Sequence, residues 1–135
     1  MELYEHIVLA YLTNTPAFVF VSPQYSIQGD KGEWSCPDLV ALNFRDRRVA
    51  VVEMSTAWNP KSLREKVQNR DAQWITRLRD QLRALNVIDD AWTFEVQLFV
   101  RIAAVPAISQ HPPTGTAVKV TALEDLGAPW DWARG

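Results

Sequence analysis

Residues 36–55 read CPDLVALNFRDRRVAVVEMS, two largely apolar runs separated by a short charged segment. The runs are Asp38–Phe44 and Arg48–Met54, and Arg45–Arg47 lie between them. Apolar runs with a polar break of this length are typical of two antiparallel strands joined by a tight turn. The second run is apolar at nearly every position, which predicts a strand buried on both faces.

Two carboxylates belong to this hairpin. Asp38 begins the first strand, and Glu53 lies near the end of the second. In a hairpin centred near Asp46, Asp38 would lie nearly opposite Met54 and close to Glu53. Two such carboxylates repel each other unless a cation lies between them, and oxygen ligands suit Mg²⁺ or Mn²⁺. The hairpin therefore predicts a divalent-metal site, while solvated residues at strand ends are the alternative.

The remaining segments supply helices and strands in an order that suits one sheet. Apolar spacing predicts a first helix at 3–12 and a long helix from Asn59-Pro60 to Leu85. Further strands are predicted at 17–22, 25–28, 93–102 and 117–120, and a last helical turn is predicted before Gly127. This order indicates an α/β or α+β domain with a central mixed sheet flanked by helices.

Length and composition indicate one globular domain over residues 1–135, with 47% hydrophobic and 22% charged residues. The formal net charge of −2 argues against coating nucleic acid by bulk charge but permits a local basic surface. A single cysteine, Cys36, indicates a reducing compartment, with the cytoplasm as the default. No apolar run reaches the roughly 18–20 residues that a membrane span needs, so no membrane association is expected.

The hairpin and the element order resemble the PD-(D/E)xK (restriction-endonuclease-like) nuclease superfamily. The resemblance rests on Pro37-Asp38, the hairpin and Glu53-x-Ser55 after a helix-strand opening, and it spans residues 5–102. It implies an αβββαβ core and metal-dependent cleavage of phosphodiester bonds in nucleic acid, DNA rather than RNA. It also implies that Asp38 and Glu53 are the ligands of Mg²⁺ or Mn²⁺. Because one active site cuts one strand, a homodimer or a protein partner is expected.

The family's lysine normally stands two residues after the glutamate, where this chain has Ser55. A hydroxyl cannot supply the positive charge that orients the attacking water. Some members take that lysine from the following helix, which makes Lys66 the first candidate and Lys61 the second. Glu5, on the first helix, matches an additional metal-binding carboxylate that many members carry. The missing lysine leaves a second reading open, a nuclease fold without cleavage that serves as a regulatory or structural binding component.

The predicted long helix is basic, with seven basic and three acidic residues between positions 61 and 83. One stripe at helical spacing could contact a phosphate backbone and so bind nucleic acid. The stripe consists of Lys66, Arg70, Gln73 and Arg77. A solvated helix face with pairs four residues apart explains the same pattern equally well.

The chain is rich in tryptophan, with six copies in 135 residues. Tryptophan is more often a packing residue than a base-stacking platform, so packing is the expectation. Exposed tryptophans would instead suit a structural or assembly component that binds another protein, which is a third reading. The two histidines, His6 and His111, have no adjoining ligand pattern, and surface or packing roles are expected for them.

Overall fold

A computed structural model describes residues 3–14, 20–111 and 114–126. Its α-helices are α1 (Leu3–Thr13), α2 (Lys61–Gln68), α3 (Thr76–Ala84) and α4 (Val105–Ile108). Its strands are β1 (Phe20–Pro23), β2 (Ile27–Gly29), β3 (Gly32–Ser35), β4 (Leu39–Asn43), β5 (Arg48–Ser55), β6 (Thr93–Val100) and β7 (Ala117–Ala122). A π-helical turn at Asp71–Ile75 joins α2 to α3, and 3₁₀ turns occupy Ile102–Ala104 and Leu123–Leu126.

Five strands form one mixed sheet in the order β1-β4-β5-β6-β7. The strands β1, β4 and β5 are antiparallel neighbours, whereas β6 and β7 continue the sheet in parallel with β5. The strands β2 and β3 form a separate two-stranded hairpin. The order α1, β1, β4, β5, α2–α3, β6 confirms the predicted αβββαβ core with a central mixed sheet flanked by helices.

The sheet has a hydrophobic core on each face, and the central strand β5 contributes to both. Val49 and Val51 point to the face that α2 and α3 cover, which we call the α3 face. Ala50 and Val52 point to the face that α1 covers, the α1 face. All four side chains are fully buried, so the prediction of a strand buried on both faces is confirmed.

The predicted long helix is interrupted by the π-helical turn. There the N–H of Thr76 bonds to the carbonyl of Asp71, one residue further back than in an α-helix. Apolar spacing does not reveal such a turn, because Trp74 and Leu78 face the core on either side of the change. Leu85, expected on the apolar stripe, lies beyond the end of α3 and is 60% exposed.

One predicted strand falls partly outside the described residues, since the strand predicted at 17–22 is described only from Phe20. The predicted last helical turn is the 3₁₀ turn Leu123–Leu126, before Gly127. The segment predicted as a strand at 25–28 belongs to the β2–β3 hairpin and not to the main sheet. Within 3–14, 20–111 and 114–126, no helix is both long and apolar enough to cross a bilayer.

Candidate metal centre

The register of the β4–β5 hairpin places the two carboxylates on one face. Leu39 pairs with Val52 at the open end of the ladder. Continuing this register by one position sets Asp38 beside Glu53, whereas the sequence predicted Met54 as its partner. The difference of one residue matters because directly opposed residues point to the same face and their neighbours point to the other. Both carboxylates therefore lie on the α3 face.

A buried side chain in the turn sets this register. Asn43 has no exposed surface, and its Nδ2 donates to Oδ2 of Asp46 over 2.9 Å. In return the backbone N–H of Asp46 donates to Oδ1 of Asn43 over 2.9 Å. Arg47 completes the turn with a φ of +54°, in the left-handed region. Phe44 thus belongs to a four-residue turn and not to the strand.

Asp38 lies immediately before β4 and is held there by two backbone groups. Its Oδ2 accepts the N–H of Met54 over 2.9 Å, and its carbonyl accepts the N–H of Gln24 over 2.8 Å. Because β4 begins only at Leu39, the Asp38 carboxylate takes the place of a strand carbonyl beside β5. These contacts fix the half-buried carboxylate next to Glu53.

Glu53 is buried, with 7% of its surface exposed. Burial, a side-chain hydrogen bond with Asp38 and the charge of Asp38 together raise the pKa of Glu53 to about 9. The positive charge of Lys66 and a hydrogen bond with the Asp38 backbone oppose this rise. At neutral pH and without a cation, the Glu53 carboxyl group therefore keeps its proton and shares it with Asp38.

Two carboxylates fit the way proteins commonly hold Mg²⁺, which binds one or two carboxylates and completes its shell with waters and substrate phosphates. The structure does not bring Glu5 to this pair. Glu5 lies on α1, which packs through Val8 and Leu12 against the opposite face of the sheet. Within the parts of the chain described above, no three His, Cys, Asp or Glu side chains form a metal-binding group.

Lys66 is near enough to Glu53 for its positive charge to lower the pKa of that carboxyl group. It lies on α2 next to Val67, which packs in the core of the α3 face, and its charge acts on Glu53. Lys61 is exposed at the start of the same helix. Ser55 accepts the N–H of Ala57 at its Oγ over 3.2 Å, a local backbone role.

Arg70 is buried and does not lie on the exposed face that the basic stripe was predicted to offer to a phosphate backbone. Its side chain is only 3% exposed. Its guanidinium donates to the carbonyls of Thr114 (2.7 Å), Val67 (3.0 Å) and Thr116. Arg70 therefore holds the segment before β7 against α2, and its donors are used inside the protein.

Gln73 and Arg77, the other two members of the stripe beyond Lys66, contact the β2–β3 hairpin. Nε2 of Gln73 donates to Oγ of Ser35 over 3.2 Å. The guanidinium of Arg77 lies 4.2 Å from the ring centroid of Trp34 and 3.7 Å from Asp30. Both side chains are half-buried, and their contact with nucleic acid stays a prediction.

Replacing Arg70 is expected to destabilise the protein without touching the carboxylate pair. In Arg70→Ala the carbonyls of Thr114, Val67 and Thr116 lose a charged donor, which should lower the free energy of unfolding by about 2–4 kcal/mol. Urea unfolding measures this change. Arg79→Ala is the matched control, because Arg79 is an exposed arginine on the same helical segment and should change stability by less than about 1 kcal/mol. Equal stability of the two variants would contradict the assignment.

Sequence reasoning missed two tryptophans near the carboxylates. Trp34 is 47% exposed in β3, and Trp58 is 71% exposed in the segment after β5. Packing was expected for tryptophan, and Trp74, which is fully buried, meets that expectation. Their positions in the sequence could have indicated a role near the carboxylates, because Trp34 shortly precedes Asp38 and Trp58 shortly follows Glu53.

Comparison with known proteins gives distant structural similarity only. No family model matches the chain, and no curated protein matches it significantly by sequence. Among solved structures, the chain is similar to the small subunit (R.BspD6I2) of the heterodimeric restriction endonuclease R.BspD6I. The TM-score is 0.43 and the sequence identity 10%, over 89% of this chain and 69% of the other. Similarity at this level shows neither a shared family nor a shared activity.

Proposed function

We propose that this chain is a Mg²⁺- or Mn²⁺-dependent nuclease of the PD-(D/E)xK superfamily that hydrolyses phosphodiester bonds of nucleic acid, with DNA as the expected substrate. The observation that carries the proposal is the pairing of Asp38 and Glu53 on one face where β4 begins and β5 ends, with the positive charge of Lys66 acting on Glu53. The αβββαβ order of the fold supports it. The single exposed thiol, Cys36, suits a reducing compartment, and we place the activity in the cytoplasm.

Each of the three side chains has a separate task in this proposal. Asp38 and Glu53 bind the ion through carboxylate oxygens, and Glu53 gives up its proton when the ion binds. The bound ion would polarise the phosphate and favour deprotonation of a water molecule. Lys66 places a positive charge near the attacking water and the developing charge on the phosphate oxygens. Lys66 thereby replaces the lysine that is absent at Ser55.

A second candidate is a nuclease-fold protein without cleavage, which binds nucleic acid or another protein as a regulatory or structural component. Two observations favour it. Ser55 occupies the usual lysine position, and Glu5 does not join the carboxylate pair. This candidate predicts nucleic-acid or protein binding with no metal-dependent product.

A cleavage assay separates the two candidates. The protein is incubated with single-stranded, duplex and branched DNA in Mn²⁺ or Mg²⁺, and products are resolved on denaturing gels. We expect cleavage by the natural sequence and a loss of at least about 1,000-fold in Asp38→Ala, which removes one of two ion ligands. Equal cleavage by both proteins would reveal a contaminant, and no cleavage by either would favour the second candidate.

Cutting both strands of a duplex would require a second copy of this chain or a protein partner, because one carboxylate pair serves one strand. A homodimer and a hetero-complex are both compatible with this requirement. Nicking of a single strand by the isolated chain would indicate that a partner is needed for a double-strand break.

A further inference from the structure

Two exposed tryptophans in the described part of the chain, Trp34 and Trp58, lie close in sequence to the carboxylate pair. Trp34 comes four residues before Asp38, and Trp58 comes five residues after Glu53. Chain reach therefore keeps their Cα atoms within at most about 14 Å and 18 Å of those carboxylate residues. Because β4 and β5 are antiparallel, the start of β4 and the end of β5 meet at this end. One extended strand of nucleic acid could contact both rings and the carboxylates.

Trp34 is held in place although nearly half of it is exposed. Its Nε1–H donates to the carbonyls of Ala72 (3.2 Å) and Gln73 (3.1 Å), where the π-helical turn interrupts the regular helical bonding. The guanidinium of Arg77 lies over its ring at 4.2 Å. The ring is thus oriented before any ligand arrives, which lowers the entropic cost of stacking. A cavity of 230 Å³ adjoins it, lined by residues 29–34 and Arg77.

Trp58 has a similar arrangement in the segment that follows β5. The guanidinium of Arg101 lies 5.2 Å from the centre of its ring. Nε of Arg101 also donates to the carbonyl of Thr56 over 2.9 Å, so the same arginine fixes the segment that carries the tryptophan. Each ring therefore has a cation beside it and a large exposed surface.

We propose that Trp34 and Trp58 are stacking platforms for unpaired bases, so that the substrate of the carboxylate pair is a single-stranded or locally unpaired nucleic acid. The inference rests on the proposed function and narrows its substrate class. Bases in a duplex are already stacked, whereas unpaired bases present a free ring face to aromatic side chains. An arginine beside each ring adds attraction for phosphates and bases. Two separate rings with flanking cations are better suited to bind a nucleotide strand than to bind an apolar protein surface.

Binding measured without cleavage tests this proposal. A fluorescently labelled oligothymidine of about 12 nucleotides and a duplex of equal length are titrated with the full chain in the absence of divalent cations, and anisotropy is recorded. We expect Trp58→Ala to weaken single-strand binding about tenfold and the double variant with Trp34→Ala about 100-fold. Duplex affinity should change by less than about twofold. Trp58→Ala alone carries the test if Trp34→Ala disturbs the hairpin, because the Trp58 ring is 71% exposed.

The matched control is Phe44→Ala, which removes a 49% exposed aromatic ring at the opposite end of the sheet. Equal single-strand affinity of Trp58→Ala and Phe44→Ala, or no single-strand binding by the natural sequence, would overturn the proposal. Cleavage is read separately. If the natural protein cuts DNA but Trp58→Ala binds normally, stacking fails and the proposed function stands. If tryptophan-dependent binding occurs without metal-dependent cleavage, stacking stands and the proposed function fails.

Discussion

Glu53→Gln is expected to abolish metal-dependent cleavage and, in the same protein, to raise the free energy of unfolding of the metal-free state at about pH 8. A buried carboxyl group beside Asp38 opposes folding whenever it is ionised. Glutamine has nearly the same shape, carries no charge and donates a hydrogen bond to Asp38 at every pH. Cleavage should fall at least about 1,000-fold, because one of two ion ligands loses its charge.

The raised pKa of Glu53 determines in which direction the free energy of unfolding changes with pH. The pKa of Glu53 is raised in the folded state from 4.5 to about 9. The folded protein therefore binds more protons than the unfolded chain between these values, and the associated stability is complete below pH 4.5 and is lost as the pH rises through about 9. Thermal unfolding without metal should show this decline in the natural protein and a flatter profile in Glu53→Gln.

Adding Mg²⁺ or Mn²⁺ should offset the loss of stability that the metal-free protein shows as the pH rises. We expect the ion to stabilise the natural protein increasingly as the pH rises, because protons and the ion compete for Glu53. Glu95→Gln is the matched control, a partly buried carboxylate on β6 that pairs with Arg48 at 3.8 Å. The Glu95→Gln variant should keep both its cleavage activity and its stabilisation by Mg²⁺ or Mn²⁺. A metal-dependent shift that survives in Glu53→Gln would place the ion elsewhere.

The sequence predicted the two strands and the convergence of their carboxylates, but it misplaced the register by one residue. The error came from the turn. The charged segment Arg45–Arg47 suggested a three-residue connection, whereas the buried Asn43 closes a turn that also includes Phe44. Strand side chains alternate, so the predicted register would have put Asp38 and Glu53 on opposite faces. A buried side-chain hydrogen bond inside a turn has no periodic signal in the sequence.

The burial of Arg70 in the basic stripe could not be predicted from the sequence, for a different reason. Helical spacing correctly placed Arg70 on the same segment as Lys66, but it could not show that the chain 44 to 46 residues later would cover that arginine. The β2–β3 hairpin is a similar case. It packs on α3, where Oε1 of Gln81 accepts the N–H of Gln28 over 2.7 Å, 53 positions away. Contacts of such separation are set by the assembled fold and are not encoded in local patterns.

Lys66→Ala is expected to reduce cleavage about 100- to 1,000-fold while the metal-induced rise in melting temperature is retained. Lys66 is the cation that acts on Glu53, and its removal takes positive charge away from the phosphate that is attacked. It does not remove an ion ligand, because both carboxylates remain. The substitution therefore separates catalysis from metal binding, which Asp38→Ala and Glu53→Gln cannot do. Steady-state cleavage rates and thermal unfolding with and without Mn²⁺ measure the two quantities.

Lys61→Ala is the matched control, since Lys61 is an exposed lysine on the same helix, five positions earlier, at its start. A general loss of basic charge would weaken substrate binding in both variants alike, and high salt would reduce the difference between them. A specific role for Lys66 predicts instead that its variant loses turnover at saturating substrate while Lys61→Ala does not. Partial rescue by Lys66→Arg would agree with this role, because the charge is kept while its geometry changes. Full turnover in Lys66→Ala would remove this lysine from the mechanism. No residue would then replace the lysine that is absent at Ser55.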